Sequence, residues 1–142
     1  MKYFAYLCLC LIFLEFTEAT LSEAQLKAMV KLVRNMCQPK SKATTEDIEK
    51  MHQGNWNIDY TAMCYMHCVL NSNQLITKGN VFHLDNALIW VEKNLPNPLK
   101  DASLEAANLC KDAAKTLNDK CVAAYEISKC LYESNPEMYF LP

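Results

Sequence analysis

Six cysteines outside the N-terminal hydrophobic stretch are the residues whose type and spacing most clearly define a chemistry, the formation of disulfides. They follow the spacing C-x26-C-x3-C-x41-C-x10-C-x8-C, from Cys37 to Cys130. Cys64 and Cys68 are four residues apart, a spacing that places both side chains on one face of a helix. Joined to separate partners, these two cysteines would tie one segment to two distant parts of the chain.

Helix geometry limits which cysteines can pair but does not settle the pairing. Six cysteines allow fifteen pairings. Cys64 and Cys68 would project in parallel from one helix and cannot converge. Cys121 and Cys130 would lie about 13 Å apart along another helix, beyond bridging distance. Ten pairings remain, and the residues alone therefore indicate a small helical bundle held by three disulfides, each contributing about 2–4 kcal/mol.

The histidines and glycines form no recognisable catalytic or metal-binding motif. No two of His52, His67 and His83 have metal-ligand spacing, and no His-Glu-x-x-His sequence occurs. The chain also lacks a Gly-x-Ser-x-Gly elbow and an acidic calcium loop. A small secreted phospholipase A2 would need a histidine next to an aspartate, whereas His67 is followed by Cys68. We therefore expect no enzymatic activity, no metal site and no cofactor.

The N-terminal residues have the pattern of a secretory signal peptide. A lysine precedes an apolar run over residues 3–14, and Ala19 stands where a signal peptidase requires a small side chain. The run is shorter than the roughly 20 residues that a membrane-spanning helix needs. We expect residues 1–19 to be removed with the two remaining cysteines, leaving a secreted domain, residues 20–142, in an oxidising compartment.

Composition favours a single all-α domain that does not act on nucleic acid. Gly54 and Gly79 are the only glycines among 142 residues, which disfavours a turn-rich β-sandwich and a glycine-rich phosphate loop. The net charge of −2 provides no concentrated basic patch for nucleic acid. It gives no support for a membrane-surface protein either, and we do not expect the chain to be membrane-embedded.

Apolar spacing and capping residues predict six helices. Ser22 and Gln25 are spaced to form a capping box at the start of the first helix, and Pro39 is expected to end that helix after Met36. Gly54 is expected to close the second helix. The predicted helices span about 22–36, 44–54, 59–73, 84–94, 98–117 and 118–132.

The chain resembles the insect odorant-binding proteins, the six-cysteine PBP/GOBP type. The resemblance rests on the length, the helical pattern, the x3 between the second and third cysteines and the x8 between the fifth and sixth. Thr45-Glu46-Asp47, Met63-Cys64-Tyr65, Lys129-Cys130 and a tail ending in Pro142 are similar to the alcohol- and pheromone-binding LUSH group. The family fold implies an all-α, six-helix, disulfide-laced bundle around an apolar cavity. The bridges it implies are Cys37–Cys68, Cys64–Cys121 and Cys110–Cys130.

The resemblance also implies a function. Such a protein is secreted, binds small hydrophobic volatiles (odorants or pheromones) in its cavity and carries them through aqueous lymph to membrane receptors. An odorant receptor and a second copy of the chain, in a homodimer, are the protein partners left open. The alternative is a non-olfactory extracellular carrier or scavenger of apolar small molecules with the same fold, which the residues do not distinguish.

Helix faces, family position and an apolar C-terminal tail suggest which residues contact the ligand. A free terminus is usually polar and frayed, whereas Tyr139-Phe140-Leu141 is apolar, and we expect it to contact ligand or close the cavity. Leu70 and Leu75 fall where some relatives have hydroxyls, which favours longer or less polar volatiles over short alcohols. Thr61, Tyr125 and Ser128 are the candidate polar anchors. The candidate ligand contacts are Met29, Val33, Leu70, Leu75, Phe82, Ala124, Leu131, Tyr139, Phe140 and Leu141.

Overall fold

The computed structural model of the chain describes residues 20–142. Most of its helices begin at a residue whose side chain caps the first turn. The predicted signal peptide, residues 1–19, lies outside the described residues. Within residues 20–142 six helices follow one another, and a short 3₁₀ turn over Pro136–Met138 leads into the tail. The helices are α1 Glu23–Ser41, α2 Thr45–His52, α3 Tyr60–Ser72, α4 Leu84–Asn94, α5 Asn97–Leu109 and α6 Lys120–Ser134.

The predicted capping box at the start of α1 is confirmed. The Gln25 backbone N–H donates to Ser22 Oγ at 3.3 Å, and the Ser22 N–H donates to Gln25 Oε1 at 2.8 Å. Thr44 caps α2 in a similar way, since its hydroxyl accepts from the Asp47 N–H at 3.1 Å. Local sequence therefore sets where these two helices begin.

The predicted end of α1 at Met36 is wrong, because the helix continues through Pro39 to Ser41. A proline has no N–H to donate to the carbonyl four residues earlier, but in this last turn both Asn35 and Pro39 are exposed and solvent is available to that carbonyl. The helix ends at Ser41. Its C-cap Lys42 still donates its N–H to the Gln38 carbonyl, and the left-handed backbone of Lys42 (φ 61°) then turns the chain away from the helix. The extra turn carries Cys37, which is buried.

The predicted end of the fifth helix at 117 is also wrong, since α5 stops at Leu109. Glu126 on α6 holds the segment that follows in a non-helical turn. Its carboxylate accepts hydrogen bonds from the Thr116 backbone N–H at 2.9 Å and the Thr116 hydroxyl at 2.7 Å. This contact between two elements outweighs the helical periodicity that local sequence shows.

Helix α3 is the centre of the bundle and is attached by disulfides on two sides. Cys37–Cys68 joins it to α1, and Cys64–Cys121 joins it to α6. Cys110–Cys130 links the end of α5 to α6. These are the pairs that the family resemblance implies.

The main core lies between α3, its neighbours α1 and α6, and α2. Tyr65, Met66 and Leu70 of α3 are fully buried there, together with Ile127 of α6. A smaller cluster of Leu26, Val91 and Leu95 packs α1 against α4. None of the helices in residues 20–142 is long and apolar enough to span a membrane.

Candidate functional site

An apolar cavity of about 60 Å³ lies beside the main core, between α4, α5, α6 and the tail. The loop after α3 closes one side with Leu75 and Phe82, which the Ile76–Phe82 bridge holds in place. Small side chains of α5 leave the space unfilled, because alanine at these positions does not reach across to α4. The lining residues are Leu75, Phe82, Ala87, Trp90, Val91, Ala102, Ser103, Ala106, Ala107, Leu131, Asn135, Tyr139, Phe140 and Leu141.

Two further spaces lie on the other side of the tail. A void of about 20 Å³ is bordered by Met29 and Val33 of α1 and by Trp90 of α4. An open groove of about 500 Å³ runs between α1 and the α4–α5 junction, with an apolar floor that includes Leu26 and Leu99. The groove is within the roughly 300–1,000 Å³ of typical ligand sites, whereas the inner cavity is far below that range.

The tail separates these three spaces. Phe140 borders all of them and stacks on Trp90, with ring centroids 5.6 Å apart and ring planes 2° from parallel. Leu141 borders both inner voids, and Tyr139 borders the main cavity and the groove. Movement of Phe140 away from Trp90 would therefore join the spaces into one larger pocket.

An aromatic cluster supports the other side of the tail. The Tyr139 ring lies 5.2 Å from that of Tyr132 and 6.3 Å from that of Trp56, in edge-to-face arrangements. The Tyr125 hydroxyl donates to the Trp56 carbonyl at 3.2 Å, which fixes the connector before α3. Burial raises the pKa of both Tyr65 and Tyr139, so these phenols stay protonated near neutral pH.

His52 at the end of α2 also contacts the tail. Its ring packs edge-to-face against Tyr139 at 6.0 Å. Burial lowers the pKa of His52 and nearby Arg34 lowers it further, whereas Glu49 and the Pro142 backbone carbonyl act in the opposite direction. Arg34 and Glu49 themselves form an ion pair at 2.8 Å. The net effect favours a neutral imidazole beside the tail.

The ten candidate ligand contacts fall into three groups. Six of them border the main cavity. Met29 and Val33 border the smaller void instead, which Leu75, Phe140 and Leu141 of those six also border. Leu70 and Ala124 are fully buried in the core and border none of the spaces described above. The six are Leu75, Phe82, Leu131, Tyr139, Phe140 and Leu141.

Sequence reasoning missed much of the α5 wall of the cavity. Ala102, Ser103, Ala106 and Ala107 line it, and none of them is among the ten candidate contacts. The signal was present in the spacing of small residues along α5, but a helix-forming alanine and a cavity-lining alanine look alike in sequence.

The remaining polar candidates serve different purposes. Tyr125 is bonded to a backbone carbonyl, Thr61 is half-buried on α3, and Ser128 is fully buried. His83 begins α4, where its Nδ1 accepts the Asn86 N–H at 3.4 Å. Within residues 20–142, no three histidine, cysteine or acidic side chains come together in a way that could hold a metal ion.

Comparison with known proteins gives the chain a family. General odorant-binding protein 72 of Anopheles gambiae is 30% identical over 121 residues, covering 85% of this chain and 99% of that protein. General odorant-binding protein 19a of Drosophila melanogaster is 31% identical over 129 residues, covering 89% of this chain and 87% of that protein. The crystal structure of odorant binding protein 4 from Chrysopa pallens is 40% identical and superposes with a TM-score of 0.80, covering 87% of this chain and 100% of that one.

These comparisons do not test the LUSH-like assignment, which stays a prediction. The family model for the PBP/GOBP proteins matches residues 19–134, which includes all six helices and all three disulfides. Together with the fold and the apolar cavity, that match shows that the chain belongs to the PBP/GOBP family of odorant-binding proteins.

Proposed function

We propose that the chain is a secreted carrier that binds small hydrophobic volatiles, odorants or pheromones, in its internal cavity and carries them through aqueous lymph to membrane receptors. The observation that carries this proposal is the apolar cavity that the tail closes, in a chain whose relatives are named odorant-binding proteins. Membership of a family of odorant-binding carriers supports a binding role over an enzymatic one. Localising the transcript to antennae or to other tissues distinguishes an olfactory carrier from a scavenger with the same fold.

The driving force is transfer of apolar surface out of water. Each Å² of apolar area that the ligand and the cavity wall remove from water contributes about 25 cal/mol. A drug-sized ligand that gains about 0.3 kcal/mol per heavy atom binds in the micromolar range. This affinity suits a carrier, because the ligand has to be released at its destination.

The inner cavity has to enlarge to admit such a ligand, and the tail is the element that supports this step. At about 60 Å³ the cavity is smaller than the ligand sites that proteins usually form. No disulfide holds residues 139–142, whereas Cys110–Cys130 holds the end of α5 to α6 beside them. We therefore assign the opening to displacement of residues 139–142, with the ligand occupying space that Phe140 and Leu141 fill in the closed form.

Removal of residues 139–142 tests this arrangement. The affinity for N-phenyl-1-naphthylamine, an apolar fluorophore, would be measured by titration for the full chain, the truncated chain and Leu109→Ala. Leu109 is 66% exposed and borders none of the spaces described above, so its replacement controls for the loss of an apolar side chain. We expect the truncation alone to change the affinity. Unchanged affinity refutes the role of the tail, and failure of the full chain to bind the fluorophore refutes the carrier function.

A further inference from the structure

The open groove between α1 and the α4–α5 junction is a space separate from the cavity assigned to the volatile ligand. Its volume of about 500 Å³ lies within the range of typical ligand sites. The Phe140 ring forms part of its wall, so the groove exists while the tail is in place against Trp90. Its apolar surface is formed by Leu26, Val30, Pro96, Pro98, Leu99 and Phe140.

Three cationic side chains line the α1 edge of this groove. Lys27, Lys31 and Arg34 border it, and their spacings of four and three residues place them along one face of the helix. Arg34 is paired with Glu49 at 2.8 Å, whereas Lys27 and Lys31 are exposed and form no ion pair within residues 20–142. The opposing charge on the groove is that of Glu23, at the start of α1. The edge therefore carries a local excess of positive charge, although the whole chain has a net charge of −2.

An apolar floor beside two unpaired lysines complements a ligand that is apolar along its length and anionic at one end. An ammonium head group would be repelled there, and a neutral one would leave both lysines without a partner. Lysine stems lie along apolar surface while their ammonium groups remain in water, so pairing with a carboxylate requires no buried charge. Glu23 and Arg34 are 11 residues apart, about 16 Å along the helix, so an extended alkyl chain can lie along the groove.

The shape of the groove favours a single alkyl chain over a membrane surface. Helix α1 forms one wall and the α4–α5 junction forms the other, and Leu26 on the floor between them is only 6% exposed. A protein that lies on a bilayer inserts apolar side chains that project from its surface. A recessed floor instead receives an apolar group that enters it from solvent.

We propose that this groove is a second binding site, which takes a free fatty-acid carboxylate. The head group pairs with the ammonium groups of Lys27 and Lys31, and the alkyl chain lies on the floor formed by Leu26, Val30 and Leu99. The site goes beyond the proposed carriage of volatiles in the inner cavity, because it selects an anion and does not require the tail to open.

The experiment measures the Kd for decanoate and for 1-decanol, which share an alkyl chain and differ in charge, by isothermal titration calorimetry at low ionic strength. The unmodified chain is compared with Lys27→Gln/Lys31→Gln and with Lys40→Gln/Lys42→Gln. The second pair is the matched control, since it makes the same change in net charge at exposed lysines at the other end of α1 that border none of the spaces described above.

We expect the decanoate Kd to rise about 2- to 30-fold in Lys27→Gln/Lys31→Gln, the worth of two exposed ion pairs, and to stay nearly unchanged in the control. The difference should shrink in about 0.5 M salt, which screens exposed charges. The Kd for 1-decanol and for N-phenyl-1-naphthylamine should be the same in both double variants.

Three results would overturn the second site. They are failure of the unmodified chain to bind decanoate, an equal decanoate Kd in the two double variants, and a loss of fluorophore affinity in Lys27→Gln/Lys31→Gln that matches the loss for decanoate, which would indicate one shared site. Sedimentation with phosphatidylglycerol vesicles that depends on the two lysines, without binding of free decanoate, would assign them to a membrane surface instead. Failure of the unmodified chain to bind the fluorophore contradicts the proposed function and not the groove, so the two failures are distinguishable.

Discussion

Phe140→Ala should weaken the fold slightly and strengthen the binding of bulky apolar ligands. Phe140 is half-buried and stacks on Trp90 at 5.6 Å while separating the main cavity from the groove. An aromatic pair contributes about 0.5–1.5 kcal/mol beyond its buried area. A ligand that displaces the ring from Trp90 has to overcome this amount, and the alanine variant removes that cost.

The predicted size of the effect follows from this energy. Since about 1.4 kcal/mol corresponds to a factor of ten, the Kd for N-phenyl-1-naphthylamine should fall about 2- to 10-fold in Phe140→Ala. The association rate should rise, because the tail no longer has to unstack. The loss of the stacked pair and its buried area should lower the free energy of unfolding by about 1–3 kcal/mol, less than for a fully buried phenylalanine.

The assays are stopped-flow fluorescence for the rates, equilibrium titration for the Kd and urea unfolding for stability, with Leu109→Ala as the control. A rate and a Kd that both stay unchanged would show that Phe140 does not stand between solvent and the cavity. A weaker affinity with an unchanged association rate would show that Phe140 is a fixed contact in the wall, which contradicts its displacement by the ligand.

Three further predictions concern the glycine turn, the disulfides and pH. Gly54→Ala should lower the free energy of unfolding by about 1–3 kcal/mol, because Gly54 has φ +79° and an added Cβ would lie 2.9 Å from the Tyr132 hydroxyl. Gly79→Ala is the control and should be nearly neutral in the same urea titration, since the atom nearest to its added Cβ is 3.7 Å away. Replacing Cys64 and Cys121 with alanine should lower the free energy of unfolding by about 1 kcal/mol more than replacing Cys110 and Cys130, because the first disulfide closes a loop of 57 residues and the second a loop of 20. Equal unfolding free energies for the two variants would contradict this chain-entropy argument. Burial lowers the pKa of His52 and His67, so the unfolded chain takes up protons at a higher pH than the folded one. Stability should therefore fall as pH drops below about 6.5 towards the folded pKa values. Because His52 packs on Tyr139, fluorophore affinity should also fall between pH 7 and pH 5; a pH response that survives replacement of each of His52, His67 and His83 in turn would rule this out.

Local signals predicted most of the helices. The capping box at Ser22, the Thr44 cap and the range of α4 follow from side chains within a few residues of each helix terminus. The errors at Ser41 and Leu109 arose where other interactions decide the structure. Helix α1 runs past its predicted end because its exposed last turn tolerates Pro39. Helix α5 stops before its predicted end because Glu126 on α6 binds Thr116, ten residues earlier, and holds that segment in a turn.

The candidate site was harder to predict than the helices. The apolar tail indicated its own burial, and Leu141 and Pro142 are indeed buried. The spacing of small residues along α5 was visible in the sequence, but that Ala102, Ser103 and Ala106 line a cavity depends on which helix faces meet in the folded chain. Resemblance to a family implied the fold and the disulfides, whereas the size of the cavity and its partition by Phe140 emerged only from the structure.

The central claim is that an apolar volatile enters the space beside α4 and α5 by displacing the tail, and a crystal structure of the complex with 2-octanone tests it most directly. We predict ligand density bordered by Leu75, Phe82 and Leu131, with the Phe140 ring moved away from Trp90. A ligand confined to the outer groove, with the 5.6 Å stack of Phe140 on Trp90 intact, would contradict the account.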